Sequence, residues 1–190
     1  MRITGILLAA GHARRFGSNK LVAALADGTP VVVASARRLA AAVDDVLAVV
    51  PGEGGAVESL LGGEDIALRR CPEAAHGMGH SLACGVAAAG GAGAWLVMLG
   101  DMPFVAPATL ERLVTALREG AAIVLPTHHA RDGHPVGFNA RFGIELGRLA
   151  GDRGARAVLA AHPGEVVRVA VDDPGILQDI DVPADLEAPR

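Results

Sequence analysis

The sequence predicts one α/β domain in which a mostly parallel sheet lies between two layers of helices. Its 190 residues correspond to one ordinary domain, and neither a repeat of fixed period nor a linker rich in proline or serine divides them. Short apolar runs, mostly β-branched, alternate with helical patterns of about ten residues. Such alternation predicts right-handed crossovers and therefore a three-layer arrangement around a parallel sheet.

Five short apolar runs are the predicted strands. Strands that are buried on both faces consist of nearly continuous aliphatic and β-branched residues, which is the pattern of these runs. Ligands of such sheets bind outside the carboxyl ends of the strands, so we expect a functional site in the loops that follow the runs. The runs are Ile3 to Ala9, Val46 to Val50, Trp95 to Leu99, Ile123 to Leu125 and Val166 to Val171.

Four segments between or after these runs have helical patterns. Thr29 and Pro30 predict the cap and first turn of one helix, and Pro107 predicts the start of another, because proline fits the first helical position. A third segment is rich in alanine, and the fourth ends just before Pro163. The predicted helices are Val31 to Ala42, Gly79 to Ala89, Ala108 to Arg118 and Arg153 to His162.

Charge and composition exclude several classes of protein. The net charge of −4, the isoelectric point near 5.9 and the aromatic content of 3% provide neither a basic field nor stacking platforms for nucleic acid. Two segments resemble membrane signals, but Arg14 and Arg15 follow the short apolar start, and glycines interrupt the uncharged stretch Leu82 to Leu99. Cys71 and Cys84 lack the spacing of a zinc site or redox pair. We expect a reduced, cytoplasmic protein that binds neither nucleic acid nor a membrane.

The loop after the first run combines small residues with two glycines and three cations. Small residues let backbone N–H groups approach a polyphosphate, and cations offset its charge. Gly11 and Gly17 are separated by five residues and the lysine is Lys20, so neither a dinucleotide fingerprint nor a Walker loop fits. An exposed Gly/Arg loop without a ligand is the alternative.

Asp101 is the candidate metal ligand that the residues themselves suggest. It follows the run that ends at Leu99 and precedes Pro103, at the carboxyl end of a predicted strand. Mg²⁺ takes hard oxygen ligands, usually one or two carboxylates with water and phosphate oxygens. We expect Asp181 to be the second carboxylate and Asp179 to be the runner-up, since a strand would put both on one side. A turn-capping role for Asp101 and a simply solvated acidic terminus are the alternatives.

Ser81 stands beside glycines at the start of the alanine-rich segment. A hydroxyl there suits contact with a base or ribose, or it caps the helix.

Six motifs occur in order along the chain: Leu8-Ala9-Ala10-Gly11 with Arg15-Phe16-Gly17 and Lys20, Gly77 to Leu82, Leu99 to Pro103, Gly133 to Phe138, Gly151 to Arg156 and Asp179 to Leu186.

These six ordered motifs resemble those of the MobA-like nucleotidyltransferases, and especially the molybdenum cofactor cytidylyltransferase branch. The first motif of the family has the form L-A-A-G-x-S-x-R-F/M-G-x-x-K, and this chain departs from it at Ala13, where serine is usual. The matches span nearly the whole chain. Six ordered motifs are far more specific than any one of them.

The resemblance implies a Rossmann-like nucleotidyltransferase fold, an NTP donor and dependence on Mg²⁺. It assigns Arg15 and Lys20 to the triphosphate and, together with Asp101, to catalysis. It assigns the metal to Asp101 and Asp181. The nucleotide site implied in this way comprises Leu8, Ala9, Ala10, Gly11, Arg15, Lys20, Gly79 and Ser81, and the acceptor site comprises His134, Arg153 and Arg156.

The implied reaction is nucleotidyl transfer onto the phosphate of an acceptor. CTP and molybdopterin are the favoured pair, because the guanylyl branch more often carries a double glycine in the first loop, where this chain has Ala9-Ala10-Gly11, and because Met78 can fill the space that a purine ring would use. Guanylyl transfer, transfer to another small phosphorylated acceptor, and a nucleotide-binding module without turnover are the alternatives. An acceptor molybdoenzyme or its chaperone is the expected protein partner.

Overall fold

The computed structural model describes residues 1–11, 19–53 and 55–187. Within these ranges, eight strands form one sheet and helices pack on both of its faces. The strands are β1 (Ile3–Leu8), β2 (Asp45–Pro51), β3 (Ala67–Cys71), β4 (Ala94–Leu99), β5 (Ile123–His128), β6 (Arg131–Asp132), β7 (Val136–Asn139) and β8 (Val166–Ala170). The helices are α1 (Val31–Ala40), α2 (Ala56–Leu61), α3 (Met78–Ala88), α4 (Pro107–Arg118), α5 (Gly143–Leu146) and α6 (Arg156–Ala161). None of these helices is both long and apolar enough to span a bilayer.

The strand order in the sheet is β3-β2-β1-β4-β7-β5-β6, and β8 pairs with β5. β1 is parallel to β2 and β4, β2 is parallel to β3, and β5 is parallel to β8. β7 is antiparallel to both β4 and β5, so those two strands point the same way. The predicted three-layer α/β fold with a mostly parallel sheet is confirmed.

Two hydrophobic cores lie on opposite faces of the sheet, and β1 contributes to both. Ile3 and Leu7 pack into the core that contains side chains of α1 and α4, whereas Ile6 and Leu8 pack into the core that contains side chains of α3. Gly5 allows α1 to pack closely, since a Cβ atom at this position would lie 2.8 Å from Cγ of Leu39. The continuous apolar run therefore reflects burial on both faces, as predicted.

The prediction that the run Val166 to Val171 is buried on both faces is wrong. This run forms β8, which pairs only with β5 among the described strands, and most of its residues are exposed or half-buried. A strand at the edge of a sheet has fewer neighbours to cover its side chains. Its β-branched composition therefore predicted a strand correctly and its burial incorrectly.

The predicted start of α1 at Val31 is confirmed, but its predicted cap is wrong. α1 begins at Val31 after Pro30, and Thr29 does not cap it, because the N–H of Thr29 donates to Asp27 Oδ1 at 2.9 Å in the preceding turn. The predicted start of α4 at Pro107 is confirmed.

The helix predicted from Arg153 begins instead at Arg156. Residues Gly151–Arg153 form a separate 3₁₀ turn, and Gly154 follows with φ +51°, a left-handed conformation that interrupts a right-handed helix.

The sequence did not predict β3, β6, β7 or the short helices α2 and α5. β3 contains two arginines and is largely exposed at the edge of the sheet, so it lacks an apolar run. β7 has only four residues. Because β7 is antiparallel to its neighbours, it begins at the edge of the sheet where β4 and β5 end, and residues just before it lie at that edge.

Candidate active site

The carboxyl ends of β1 and β4 lie side by side at one edge of the sheet. Leu8 and Leu99 are partners in the parallel register. The N–H of Gly100 donates to the carbonyl oxygen of Leu8 at 2.9 Å, and a Cβ atom on Gly100 would lie 3.1 Å from that oxygen. The ends of the two strands can approach this closely because residue 100 is a glycine and has no side chain. Asp101 comes directly after this contact, at the edge where a site is expected.

Lys20 lies between two carboxylates at this edge. Its Nζ is 2.7 Å from Asp101 Oδ2 and 2.9 Å from Asp181 Oδ1. Lys20 opens a 3₁₀ turn, Lys20–Val22, which begins with Asn19 Oδ1 accepting the N–H of Leu21 at 3.1 Å. The structure therefore brings together three predicted site residues, two of which are 161 positions apart in the chain.

Local hydrogen bonds, rather than a strand, hold Asp181 at the site. The N–H of Ile180 donates to the carbonyl oxygen of Asp101 at 3.0 Å. Asp185 Oδ2 accepts the N–H groups of Asp181 at 2.9 Å and Val182 at 2.8 Å. The strand expected here is wrong, since this described segment lies outside the sheet. Asp185 was missed as an anchor, although an acidic residue three positions after the start of a short helical turn is a recognisable pattern.

Asp173 fixes the same terminal segment further upstream. Its side chain is buried, and its Oδ2 accepts the N–H of Ala106 at 2.8 Å and the hydroxyl of Thr109 at 2.7 Å. Its Oδ1 accepts the N–H of Gly175 at 3.0 Å. These bonds connect the segment to the start of α4, so the interpretation of the acidic terminus as simply solvated is wrong for Asp173. The neighbouring Asp172, by contrast, is fully exposed.

Burial and charge act on the three ionic groups in opposite directions. The side chains of Lys20 and Asp101 are each 16% exposed, whereas that of Asp181 is 50% exposed. Burial raises the pKa of Asp101, and the nearby charge of Asp179 adds to the increase, together outweighing the effect of Lys20. Burial alone would lower the pKa of Lys20, but the two carboxylates outweigh it and raise that pKa. Lys20 is therefore held firmly in its charged form.

The donor set suits a hard divalent cation. Asp101 Oδ1 is buried and has no hydrogen-bond partner among the described residues, and such an atom is costly unless a ligand or ion satisfies it. The described residues contain no group of three or more His, Cys, Asp or Glu side chains placed to hold a metal. Mg²⁺ needs only one or two carboxylates when phosphates and water complete its shell. Asp101 and Asp181 therefore fit Mg²⁺ that binds together with a phosphorylated substrate.

His134 reaches the same edge because it precedes the antiparallel strand β7. Its N–H donates to the carbonyl oxygen of Ile176 at 2.9 Å. Its Nδ1 is buried without a hydrogen-bond partner among the described residues. Burial lowers the pKa of His134, Arg156 lowers it further, and Asp179 opposes both. The imidazole is therefore neutral near pH 7 and lies within electrostatic reach of a predicted acceptor-binding arginine.

The glycines around α3 bring two chain segments together. Gly77 has φ +124°, and a Cβ atom there would lie 2.4 Å from the carbonyl carbon of Gly151. A Cβ atom on Gly79 would lie 2.8 Å from the backbone of Ala150. His80 Nδ1 accepts the N–H of Gly151 at 3.2 Å. The close approach at Gly79 is therefore explained by this packing, and its contact with a nucleotide stays a prediction.

The remaining predicted nucleotide residues occupy different environments. Leu8, Ala9 and Ala10 are buried and Gly11 is exposed, so the backbone rather than these side chains is available to a ligand. Ser81 is buried in the second turn of α3, which begins after Gly77, so the interpretation of Ser81 as the cap is wrong.

The three predicted arginines differ in what the structure says of them. Arg15 lies outside the described residues, as do Arg14 and Ala13. Arg156 opens α6 and is exposed, and its charge reaches His134. Arg153 is exposed in the preceding 3₁₀ turn. An acceptor role for either described arginine stays a prediction.

A lysine and two carboxylates therefore meet at the carboxyl edge of a Rossmann-like sheet. Residues 5–166 match the family model described as the MobA-like NTP transferase domain, and the chain belongs to that family. It is 30% identical over 199 residues to the purine catabolism protein PucB of Bacillus subtilis, covering 99% of this chain and 96% of the relative. It is 34% identical over 133 residues to a probable molybdenum cofactor guanylyltransferase of Pelotomaculum thermopropionicum, covering 67% and 58% of the two chains.

Solved structures superpose on nearly the whole chain. The crystal structure of Rv0371c from Mycobacterium tuberculosis superposes with a TM-score of 0.81 at 31% identity, covering 97% of this chain and 96% of the other. A manganese complex of Rv0371C superposes with a TM-score of 0.76 at 28% identity, covering 97% and 96%. The predicted family is confirmed, and so is its nucleotidyltransferase fold.

Proposed function

We propose that this protein transfers a nucleoside monophosphate, CMP from CTP in preference, onto the phosphate of a molybdopterin-type acceptor. The observation that carries the proposal is the convergence of Lys20, Asp101 and Asp181 at the carboxyl ends of β1 and β4. A cation for a triphosphate and two hard ligands for Mg²⁺ are the groups that phosphoryl-type transfer needs. Family membership supports the reaction class, and the relative named as a guanylyltransferase supports the acceptor class.

The chemistry requires positioning and charge compensation rather than a protein nucleophile. An oxygen of the acceptor phosphate attacks the α-phosphorus of the NTP, a new P–O bond forms, and the bond to the β-phosphate breaks as pyrophosphate leaves. Lys20 and Arg15 hold the triphosphate and stabilise the negative charge of the leaving group. Asp101 and Asp181 hold Mg²⁺, which when bound neutralises charge on the phosphates. The manganese complex of the related Rv0371C supports a divalent ion in this fold.

The acceptor side of the proposal depends on His134, Arg153 and Arg156. His134 has a neutral imidazole, and its Nδ1 has no partner among the described residues, which suits a hydrogen bond to an incoming phosphate or pterin. Arg156 supplies a positive charge that acts on His134, and Arg153 lies three positions before Arg156 in the sequence. A neutral imidazole can donate one hydrogen bond and accept another without carrying a charge.

The base preference depends on Ala10 and Met78, with Gly79 and Ser81 nearby in the sequence. Ala10 is buried and offers only its backbone to a nucleotide, whereas the exposed side chain of Met78 is available to exclude a purine ring. GTP is the second candidate, because a relative is named as a guanylyltransferase. In a site that pairs with one base edge, the wrong base leaves buried polar groups of the protein unpaired. The loss in binding free energy is on the order of several kcal/mol.

The decisive experiment screens each NTP against purified molybdopterin, with pyrophosphate release as the rate and mass spectrometry of the product. We expect kcat/KM for CTP to exceed that for GTP with Mg²⁺ and the acceptor held constant. A preference for GTP would overturn the cytidylyl assignment and leave the reaction class intact. Tight nucleotide binding without pyrophosphate release from any NTP would favour a binding module instead.

The proposed contact of Arg15 with the triphosphate is tested by comparing Arg15 with its neighbour Arg14. Arg15→Ala is expected to raise KM for the NTP and to lower kcat, since a charge-assisted hydrogen bond contributes about 1.5 to 3 kcal/mol. Arg14→Ala is the matched control, because it removes the same charge outside the motif. Equal losses in both variants would mean that the charge of the loop, rather than a specific contact, binds the triphosphate.

The proposal includes a reducing compartment and a protein partner. The free thiols Cys71 and Cys84 fit the cytoplasm, where disulfides are rare. The product would pass to a molybdoenzyme or its chaperone. Retention of product-loaded protein on an immobilised molybdoenzyme, compared with product-free protein, tests this transfer.

A further inference from the structure

Lys20 is the only lysine in a chain that has 17 lysine and arginine residues. All the other strongly basic side chains are arginines, yet the position between Asp101 and Asp181 holds a compact ammonium group. An ammonium is a point charge on a flexible stem, whereas a guanidinium is a planar fork that binds carboxylates side by side. The Nζ of Lys20 is within 2.9 Å of one oxygen from each carboxylate, so it fills the space between the two groups that would hold a divalent ion.

We propose that Lys20 is a built-in competitor of the divalent cation, which blocks Asp101 and Asp181 until a nucleoside triphosphate draws its ammonium away. This inference rests on the proposed function, in which the two aspartates hold the metal and Lys20 binds the triphosphate. Its new content is a coupling: metal alone binds weakly, and metal and nucleotide each strengthen the binding of the other, because linkage between two sites is reciprocal.

Electrostatics supports the competition. Mg²⁺ and similar ions approach carboxylate oxygens more closely than an ammonium does, at about 2.0 to 2.1 Å. An ion at Asp101 Oδ2 would therefore lie beside the charge of Lys20 in the buried part of the site, where solvent screens poorly. The two cations repel each other as long as the ammonium stays in place. A triphosphate removes the conflict, since its oxygens accept the ammonium and also offer ligands to the metal.

The two carboxylates differ in a way that lets the exchange occur. Asp101 is buried, and the N–H of Ile180 donates to its carbonyl oxygen, which fixes the residue. Asp181 is half exposed, so water can replace the contact that Lys20 gives up. Asp101 Oδ1 has no partner among the described residues, so one acceptor at the site remains even while Lys20 occupies Oδ2. Only the flexible side chain of Lys20 needs to move.

The test is Mn²⁺ binding without nucleotide, measured from the EPR signal of free Mn²⁺. Lys20→Met is expected to bind Mn²⁺ about tenfold more tightly than the wild type, within the usual range for coupled sites. Arg70→Met is the matched control, because it removes the same charge from an exposed ion pair with Glu58. It is expected to bind Mn²⁺ as the wild type does. Equal affinity in Lys20→Met and the wild type, weaker binding by Lys20→Met, or no measurable binding by either overturns the proposal.

A second measurement keeps the proposal testable if Lys20→Met does not fold. Lysine labelled with ¹³C at Cε gives one side-chain NMR signal in the wild-type protein, because there is one lysine. A non-hydrolysable CTP or GTP analogue added without metal is expected to shift this signal. Binding of the analogue with an unchanged signal overturns the proposal. The Mn²⁺ titration contains no nucleotide, so it can succeed or fail independently of whether any NTP is turned over.

Discussion

Two kinds of ion pair in this molecule contrast sharply in their surroundings. At the candidate site, Lys20 and Asp101 are both largely buried. On the surface between α2 and β3, Arg70 is 60% exposed and pairs with Glu58. Exposed pairs contribute between about 0 and 1 kcal/mol because water screens them. Buried pairs carry a desolvation cost that often exceeds their mutual attraction.

This difference separates charges that contribute to folding from charges that are available to a ligand. The pair at the site includes a buried carboxylate oxygen without a partner among the described residues and a carboxyl group whose pKa is raised by burial. Neither feature stabilises the fold. Asp173 is the instructive third case, since its buried carboxylate accepts three hydrogen bonds from neutral groups. A buried carboxylate that is fully satisfied serves structure, whereas one that is incompletely satisfied is ready for a ligand.

The largest effect is expected from Asp101→Ala. The substitution is predicted to lower kcat by about 10²- to 10³-fold, the usual loss when one electrostatic contact to a transition state is removed. The free energy of unfolding should change little, because Lys20 keeps its contact with Asp181 while the unfavourable burial of the Asp101 charge is removed. Pyrophosphate release at saturating NTP and Mg²⁺, together with urea denaturation, measures both. Near-wild-type turnover would contradict the assignment of Asp101 to the metal.

Asp173→Ala should have the opposite profile. Losing the bonds to Ala106, Thr109 and Gly175 is expected to lower the free energy of unfolding by about 2 to 4 kcal/mol. Urea denaturation measures the loss. Asp172→Ala is the control, since Asp172 is fully exposed and next to it in the chain. Equal stability of the two variants would mean that burial does not distinguish these carboxylates.

Asp181→Asn sharpens the comparison within the site. Asp181 contacts Lys20 directly, so the substitution is expected to lower kcat/KM by about tenfold, the lower range for a charge-assisted hydrogen bond. Asp179→Asn should have a smaller effect, because Asp179 acts on Asp101 through its charge alone. Steady-state kinetics of both variants at fixed Mg²⁺ gives the order. The reverse order would identify Asp179 as the second ligand.

The pH dependence of stability tests whether the pKa of the buried His134 is lowered in the folded protein. Its pKa is lowered in the folded protein, so below the ordinary value of 6.5 the unfolded chain takes up a proton that the folded one does not. Stability from this group is therefore present above that pH and lost as the pH falls towards the folded-state pKa. His134→Gln lacks this dependence. The stability advantage of the wild type over the variant should decrease between pH 7 and pH 5, as measured by urea denaturation, and a constant difference would contradict it.

The smallest effect is expected at the surface. Arg70→Ala should leave the free energy of unfolding nearly unchanged, and added salt should reduce even the small remaining effect. A double-mutant cycle with Glu58→Ala isolates the pair. A coupling free energy as large as the loss in Asp173→Ala would mean that exposed pairs of this protein contribute as much to stability as buried contacts do.

The sequence alone determined the parts of this protein that depend on local pattern. Continuous apolar runs predicted β1, β2 and β4, and Pro107 marked the start of α4, because side-chain periodicity and proline geometry are properties of short segments. The motif order identified the family. The position of Asp101 after a buried run was also readable, since it depends only on where a strand ends.

Tertiary structure alone decided which of these residues meet. Lys20 and Asp181 are 161 positions apart, and nothing local encodes their contact. It arises because β1 and β4 pair in parallel, Asp173 anchors the terminal segment to α4, and Asp185 holds the peptide of Asp181. The antiparallel insertion of β7, which brings His134 to the same edge, was equally invisible. Strand pairing and burial depend on neighbours that are distant in sequence, so a local pattern predicts the elements but not the environment of each charge.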